Sequence, residues 1–222
     1  MRTKNVRRIH QTRYYLEMLN GLGLNPYEEP PAIEISERDS STADEFLRRR
    51  GFDSPRVFAG IAPGAAFGPA KMWFPDRFAA VAQGLIDRLG VSILLFGSAS
   101  DRPAAETIGK ALSGTVVNLA GETTLDEAIA LMARCSLFVS NDSGLMHLVA
   151  ALGIPVVALF GSTDPAVTAP QGKRLRVIYK NPSCGPCLKK QCPGDFRCMK
   201  SISTEEVLAE AIDLFESADT ND

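Results

Sequence analysis

The sequence has few of the residues from which hydrolytic or metal-dependent active sites are usually built. It contains two histidines, His10 and His147, and one tryptophan in 222 residues. The patterns Gly-x-Ser-x-Gly and His-Glu-x-x-His are absent, which argues against a hydrolase elbow and a zinc-protease site. An Asp-x-Asp pair, which could hold a metal ion on a nucleotide-sugar, is absent too. With a formal net charge of -2, the chain also has no general basic signature for nucleic acid.

Long apolar runs are missing as well. No stretch reaches the roughly 20 residues that span a bilayer, and no apolar core follows the N-terminal charges as in a secretory signal. The sequence therefore predicts a cytoplasmic protein. A basic run at the N-terminus has two interpretations, a solvated helix face or attraction to an anionic lipid acceptor or inner-membrane surface; it comprises Arg2, Lys4, Arg7, Arg8 and Arg13.

The chain divides into three predicted parts. Residues 1–24 read as the last helix of a preceding domain, with Gly21 and Gly23 ending that helix. Residues 25–56 read as a proline-containing linker with a short helix over 42–50, for which Thr42 is the expected N-cap. Residues 57–222 form the main domain.

Short apolar strands alternate with helices throughout that main domain. This pattern predicts an α/β fold with a doubly wound, Rossmann-like parallel sheet buried on both faces. The expected strands are 57–62, 92–96, 116–119, 137–140, 156–160 and 176–179, and the expected helices are 76–89, 102–112, 125–134, 144–152 and 204–217. Ligands of such sheets bind outside the carboxyl ends of the strands.

Residues 63–71, with the sequence PGAAFGPAK, follow the first strand. Small residues let backbone amides approach a bound group closely, and Lys71 supplies a charge suited to phosphate. The segment is not a Walker loop, because the Gly-x4-Gly-Lys-Ser/Thr pattern is absent. A plain turn with a surface lysine is the alternative interpretation.

Residues 140–147, SNDSGLMH, lead from a strand through a polar turn into a helix. The helix amides at Ser143 and Gly144 are suited to a pyrophosphate. Asp142 would repel phosphate and is better suited to accept hydrogen bonds from sugar hydroxyls. His147, one turn after Ser143, could donate to a phosphate or sugar oxygen. An N-cap followed by a core histidine is the alternative.

Two further segments lie at expected strand ends. Residues 160–165, FGSTDP, form another polar turn that either lines the pocket or is purely structural. In residues 121–127, GETTLDE, a carboxylate could hold a ribose. A helix cap by Thr123 or Thr124 fits the same residues, and we favour it.

Four of the five cysteines cluster near the end of the chain. Their spacing is C-x2-C-x4-C-x5-C, with the ligand candidates Cys184, Cys187, Cys192 and Cys198. A structural zinc ion, two local disulfides and four free thiols are all compatible with this spacing. Neighbouring basic residues favour thiolates. Cys135 stands apart in an apolar helical stretch and reads as a core residue.

In this order and spacing, the segments 63–71, 140–147 and 160–165 and the Cys-x2-Cys at 184–187 resemble the ADP-heptose:lipopolysaccharide heptosyltransferases, most closely type II. The resemblance covers about residues 57–217 and implies the C-terminal, donor-binding half of a GT-B glycosyltransferase. It implies an inverting transfer of heptose from ADP-heptose to the Kdo–lipid A core, without a required cofactor. The catalytic carboxylate base would lie in an N-terminal acceptor domain, of which residues 1–24 are the expected remnant.

The resemblance also implies roles for individual residues. Lys71 matches a phosphate-contacting lysine, Asp142 a residue holding heptose hydroxyls, and Ser143 with Gly144 the amide site for the diphosphate. His147 matches a histidine one turn later, and Asp126 lies near a ribose-binding acid. This chain departs from the family at residues 72–75, MWFP, where a basic residue followed by Trp-Pro is usual.

Three other functions are compatible with the sequence. The chain could bind an ADP-sugar without catalysis because the base is absent. It could be a nucleotide-sugar epimerase, although the cleft offers little beyond His147 as an acid or base. It could also be a metal or redox protein built on the four clustered cysteines.

Overall fold

A single parallel sheet organises the chain. The computed structural model describes residues 9–27, 29–52 and 56–219. Within these ranges the sheet has six strands in the order β3-β2-β1-β4-β5-β6. Their bounds are β1 Phe58–Ala62, β2 Ser92–Leu95, β3 Val116–Asn118, β4 Cys135–Asn141, β5 Val156–Phe160 and β6 Leu175–Tyr179.

The central strands are apolar because helices cover both faces of the sheet. Every residue of β1, β2 and β5 is buried, as expected for a parallel sheet between two helical layers. One core lies under α3, α4 and α9 and the other under α2, α5 and α6. The helices are α1 Gln11–Gly21, α2 Glu37–Arg48, α3 Pro75–Leu89, α4 Arg102–Lys110, α5 Leu125–Met132, α6 Gly144–Ala151, α7 Pro165–Thr168, α8 Arg197–Lys200 and α9 Thr204–Asp219.

The strand order reverses direction between β1 and β4. From β1 the chain moves outward to β2 and β3, and it then returns to place β4 on the other side of β1. Such a reversal leaves a crevice between the loops that follow the two central strands, where doubly wound sheets bind ligands. The predicted α/β fold with a doubly wound parallel sheet is confirmed.

The predicted helix over 42–50 was placed too late. The observed α2 begins at Glu37 and is capped by Ser36, whose Oγ accepts a hydrogen bond from the Asp39 amide at 3.1 Å. Thr42, the predicted cap, lies inside the helix and donates its hydroxyl to the Arg38 carbonyl. The earlier Ser-x-x-Asp sequence is the stronger start signal because its serine and aspartate hydrogen-bond to each other.

Cys135 is a core residue, as predicted, but it begins strand β4 rather than extending a helix. Burial in apolar surroundings raises the pKa of its thiol far above the usual range, so the group stays neutral. The short helices α7 and α8 are not among the predicted elements, because each has only four residues and too little periodicity to be recognised.

The N-terminal helix α1 ends at Gly21, and Gly23 adopts a left-handed conformation with φ 77°, in keeping with the predicted helix end. Arg13 lies on an exposed face and pairs with Glu17 at 3.5 Å. The rest of the basic run lies outside the described residues; it comprises Arg2, Lys4, Arg7 and Arg8. No helix in the described ranges is long and apolar enough to cross a membrane.

Candidate functional site

A pocket of about 530 Å³ opens at the carboxyl ends of β1, β2, β3 and β4. Loop residues after the first three strands and the first turns of α6 form its walls. Much of the lining is apolar, including Phe96, Leu125, Leu145 and Leu148. The pocket therefore lies over the crevice where the strand order reverses, which is the position expected for a ligand of this fold.

The N-terminus of α6 faces this pocket. Ser143 and Gly144 both line it, and Ser143 is the N-cap residue. No side chain caps the helix, because the Ser143 hydroxyl pairs with Ser140 Oγ at 3.2 Å instead. The amides of the first turn therefore lack a side-chain acceptor and carry the positive end of the helix dipole toward the pocket. The side-chain N-cap considered from the sequence is absent here.

Asp101 is the acidic residue on the pocket wall, and the sequence reasoning missed it. Its Oδ2 accepts hydrogen bonds from the Ser98 amide and hydroxyl at 2.8 and 2.7 Å. Gly64 makes room for it, since a Cβ there would lie 2.3 Å from the carboxylate carbon. The detectable signal was the sequence Ser-x-x-Asp directly after Gly97, which closely follows strand β2.

Lys71 and Asp142 form a buried ion pair beside the pocket. Lys71 Nζ lies 2.6 Å from Asp142 Oδ2, and the two side chains are 12% and 4% exposed. Thr163, from the turn after β5, donates its hydroxyl to the same carboxylate oxygen. Lys71 also lies 4.9 Å from the centre of the Phe67 ring. The alternative of a surface lysine in a plain turn is therefore wrong.

The ion pair still leaves donors available. An ammonium group has three N–H donors, and Asp142 occupies one of them. Lys71 can thus contact an anion while Asp142 holds it in position. This arrangement brings three of the predicted segments together, namely 63–71, 140–147 and 160–165.

Asn141 fixes the relative position of the first two segments. Its side chain is fully buried, its Oδ1 accepts from the Trp73 amide at 2.9 Å, and its Nδ2 donates to the Pro63 carbonyl at 2.6 Å. The loop that carries Lys71 is thus bonded near both ends to the last residue of β4. Trp73 is also anchored, by its Nε1, to the carbonyls of Met199 and Ile202 at 3.2 and 3.3 Å.

His147 lies on the wall of a second cavity of about 420 Å³, not in the large pocket. His10 lines the same cavity, with a ring nitrogen 2.9 Å from the Ala169 carbonyl oxygen. Desolvation lowers the pKa of His147, opposed by the charge of Asp142 and reinforced by His10 and Lys71. The neutral imidazole is therefore favoured at neutral pH. Because its side chain is exposed, it is not the core histidine considered from the sequence.

Asp126 is exposed on the first turn of α5 and does not line the large pocket, although its neighbour Leu125 does. Thr124 and Glu127 form a capping box there, confirming the favoured interpretation of this segment. These hydrogen bonds, first of all the one from the Thr124 amide, lower the pKa of Glu127. Glu122, in the same segment, is paired with Arg50 and Arg102.

The four clustered cysteines surround a separate cavity behind the ion pair. Cys184, Cys187, Cys192 and Cys198 all line it, and all are free thiols. Two local disulfides, one of the sequence alternatives, are therefore not formed in this structure.

Comparison with known proteins agrees with this site. The model of glycosyltransferase family 9 (heptosyltransferase) matches residues 3–196. Lipopolysaccharide heptosyltransferase 2 of Escherichia coli (strain K12) is 44% identical over 153 residues, which are 67% of this chain and 42% of the relative. Lipooligosaccharide heptosyltransferase 2 of Haemophilus influenzae is 41% identical over 145 residues, or 64% of this chain and 42% of the relative. The chain thus matches less than half the length of these curated relatives.

Solved structures show the same likeness in three dimensions. The structure of Escherichia coli ADP-heptose lps heptosyltransferase II superposes with a TM-score of 0.72 and 36% identity, covering 87% of this chain and 56% of that one. A glycosyl transferase family 9 protein from Veillonella parvula superposes with a TM-score of 0.83 and 28% identity, covering 96% and 62%. The sequence resemblance is thereby confirmed, and the chain belongs to glycosyltransferase family 9, the heptosyltransferase family.

Proposed function

We propose that this chain holds the donor site of a heptosyltransferase that transfers heptose from ADP-heptose to the inner core of lipopolysaccharide. The observation that carries the proposal is the uncapped N-terminus of α6, which opens onto a largely apolar pocket next to the Lys71–Asp142 pair. The apolar cavity suits a nucleotide base, the neighbouring anion site suits a diphosphate, and the acceptor of hydroxyl hydrogen bonds next to it suits a sugar. The donor named for the Escherichia coli structure, at 36% identity, is of this kind.

The adenosine part would occupy the pocket over β1 to β3. Phe96 and Leu125 offer apolar surface to the base, and Asp101 is placed to accept hydrogen bonds from ribose hydroxyls, the role first expected of Asp126. The diphosphate would then lie at the α6 amides of Ser143 and Gly144, within reach of the remaining donors of Lys71.

The heptose would lie near Asp142, with His147 beyond it on the same side of α6. In the transfer, the oxygen of an acceptor hydroxyl forms a bond to the anomeric carbon while the bond from that carbon to the diphosphate oxygen breaks, and negative charge grows on the departing ADP. Lys71 and the helix amides would stabilise that charge without reorganising, which is commonly the largest catalytic contribution. The reaction as proposed requires no metal cofactor on the diphosphate.

The acceptor hydroxyl needs a general base. Asp101 and Asp142, the carboxylates beside the pocket in the described part of the chain, are already hydrogen-bonded or paired. We therefore propose that the base and the site for the Kdo–lipid A core belong to an acceptor domain other than the domain described here, at the cytoplasmic face of the inner membrane. The described domain by itself would be an ADP-sugar-binding module, the second candidate function.

Calorimetric titration with ADP, ADP-heptose and UDP-glucose, without added metal, tests the donor site. We expect binding of both adenine ligands and none of UDP-glucose. Asp142→Asn should weaken the binding of ADP-heptose more than the binding of ADP, because only ADP-heptose has a heptose to hold. Asp126→Asn, on the exposed face, should change neither affinity. Equal weakening of both ligands would remove the sugar role of Asp142, and no binding of any ligand would overturn the proposed donor site. Adding the acceptor domain of a relative in trans distinguishes the two candidate functions, because heptose transfer would then occur only if this chain is the donor half of a transferase.

A further inference from the structure

The segment over residues 182–198, here called the cysteine loop, encloses a cavity of about 230 Å³ that the donor-site proposal does not use. All four loop cysteines line this cavity, although they are spread over the whole segment. The fifth cysteine, Cys135, lies elsewhere in the core and is fully accounted for by packing. Convergence of every loop thiol on one space indicates a common ligand.

The sulfur atoms of the loop share one neighbourhood, because all four cysteines line the same cavity. The Phe196 amide donates to Cys192 Sγ at 3.4 Å, a contact that stabilises a thiolate. A positive ion placed between the four sulfurs would favour the thiolate form of each of them.

Ser162 provides an independent sign of a ligand in this cavity. It is 2% exposed and lines the same space as the four cysteines, yet its hydroxyl has no hydrogen-bond partner. An unpaired buried hydroxyl costs on the order of 1–3 kcal/mol. A metal-bound thiolate would give this hydroxyl an acceptor, in the way that outer hydrogen bonds commonly orient metal ligands.

The charges around the cavity also favour an anionic metal–thiolate group. Four thiolates around a divalent ion leave a net negative charge. Lys189 and Arg197 line the cavity and can offset it, although Arg197 also pairs with Asp195 at 3.2 Å. Glutamate is absent from the cavity lining, and Asp195 is its one carboxylate among the described residues.

We propose that the cysteine loop closes around one thiophilic metal ion, zinc or iron, held by Cys184, Cys187, Cys192 and Cys198. The thiols must first move together, because no three Cys, His, Asp or Glu side chains within the described ranges are arranged to hold a metal ion as they stand. Room exists for this movement, since the cavity is larger than one ion needs. Cys184 is exposed and Cys187 and Cys192 are half-buried, so these three can turn inward around the buried Cys198.

The metal would position the residues of the neighbouring ion pair. The Leu188 amide donates to the Ser162 carbonyl at 2.8 Å, and the Ala70 amide donates to the Lys190 carbonyl at 3.0 Å. Ser162 immediately precedes Thr163, and Ala70 immediately precedes Lys71. Thr163 and Lys71 are the two partners of the Asp142 carboxylate. Ordering of the cysteine loop is thus transmitted by backbone hydrogen bonds to both sides of the Asp142 carboxylate.

Metal content of the full chain, purified under reducing and oxygen-free conditions from cells supplied with zinc and iron, tests the site directly. We expect about one metal ion per chain, loss of at least about four-fifths of it in Cys187→Ser, and retention in the matched control Cys135→Ala. Iron would show a visible thiolate-to-metal absorption, and zinc would be colourless. Removing the ion from the unmodified chain with a chelator should lower the thermal midpoint by about 5 °C, with recovery when the same ion is returned.

Two results would overturn the metal site. One is a chain that takes up neither Zn²⁺ nor Fe²⁺ and whose four loop thiols all react freely with a thiol reagent in the native state. The other is an intact mass that shows loop disulfides after oxygen-free purification. Neither measurement depends on nucleotide binding, so a metal-loaded chain that fails to bind ADP would refute the donor site and leave the metal site standing.

Discussion

The two regions beside the carboxyl ends of the central strands differ in how far their polar groups are satisfied within the protein. In the cluster of Lys71, Asp142 and Thr163, the Asp142 carboxylate pairs with both Lys71 and Thr163, which come from two other segments. In the large pocket, the first-turn amides of α6 face the cavity without a side-chain cap. The first region is therefore pre-assembled by its own chain, and the second is left for a ligand to complete. Mutations should accordingly affect stability in the cluster and binding in the pocket.

The largest loss of stability is expected from Asp142→Ala. The substitution leaves the Lys71 ammonium, 12% exposed, without its counter-ion, and loss of one partner from a buried pair costs about 3 kcal/mol. Urea unfolding of the variant measures this loss. The exposed Asp126→Ala is the control and should remain within about 0.5 kcal/mol of the parent. A similar small change in both variants would mean that the pair contributes little to the pre-assembly of the cluster.

Thr163→Val removes one hydrogen bond while keeping the shape of the side chain. The hydroxyl donates to a buried, charged carboxylate, so we expect the free energy of unfolding to fall by about 1.5 kcal/mol. Thr107→Val is the matched control, since its exposed hydroxyl only donates to the Pro103 carbonyl within α4, and it should change stability by less than about 0.5 kcal/mol. Equal effects would show that Asp142 does not depend on the turn after β5.

Gly144→Ala should reverse the pattern and affect binding without loss of stability. An added Cβ meets no protein atom within 4 Å, so the domain should gain about 0.5 kcal/mol from reduced freedom of the unfolded chain. The methyl group would occupy space at the helix N-terminus that a diphosphate needs, and ADP affinity should fall about tenfold, or ~1.4 kcal/mol.

Gly109→Ala in α4 separates these two effects. Its Cβ would meet Leu95 and Val116 at ordinary contact distances, far from the pocket lining, so it should give a similar gain in stability and unchanged ADP affinity. If Gly144→Ala binds ADP as tightly as this control, the diphosphate does not lie at the α6 amides.

The sequence predicted the fold better than it predicted the contacts within the site. Buried strands are apolar along their whole length, so the alternation of elements could be recognised without knowing their partners. Lys71 and Asp142 were each singled out, but with separate roles, because nothing in a linear sequence shows that two distant side chains will pair. The sequence analysis singles out Asp126 and misses Asp101 for the same reason: both lie at helix starts that follow strands, and only the three-dimensional arrangement shows that Asp101 faces the pocket.

The smallest expected effect concerns His147, on the wall of the second cavity. Its pKa is lowered below 6.5, first by desolvation and then by His10 and Lys71, against the opposing charge of Asp142. The unfolded chain therefore binds a proton at His147 at a higher pH than the folded chain does. The contribution of the neutral His147 to the free energy of unfolding is full above about pH 6.5 and is lost as the pH falls through the lower folded pKa. Urea unfolding at about pH 7.5 and about pH 5.5 should show a larger acid-induced loss in the parent than in His147→Gln, which cannot titrate. Equal losses in the two proteins would place the acid sensitivity on other groups and would leave His147 free to be protonated in the folded domain.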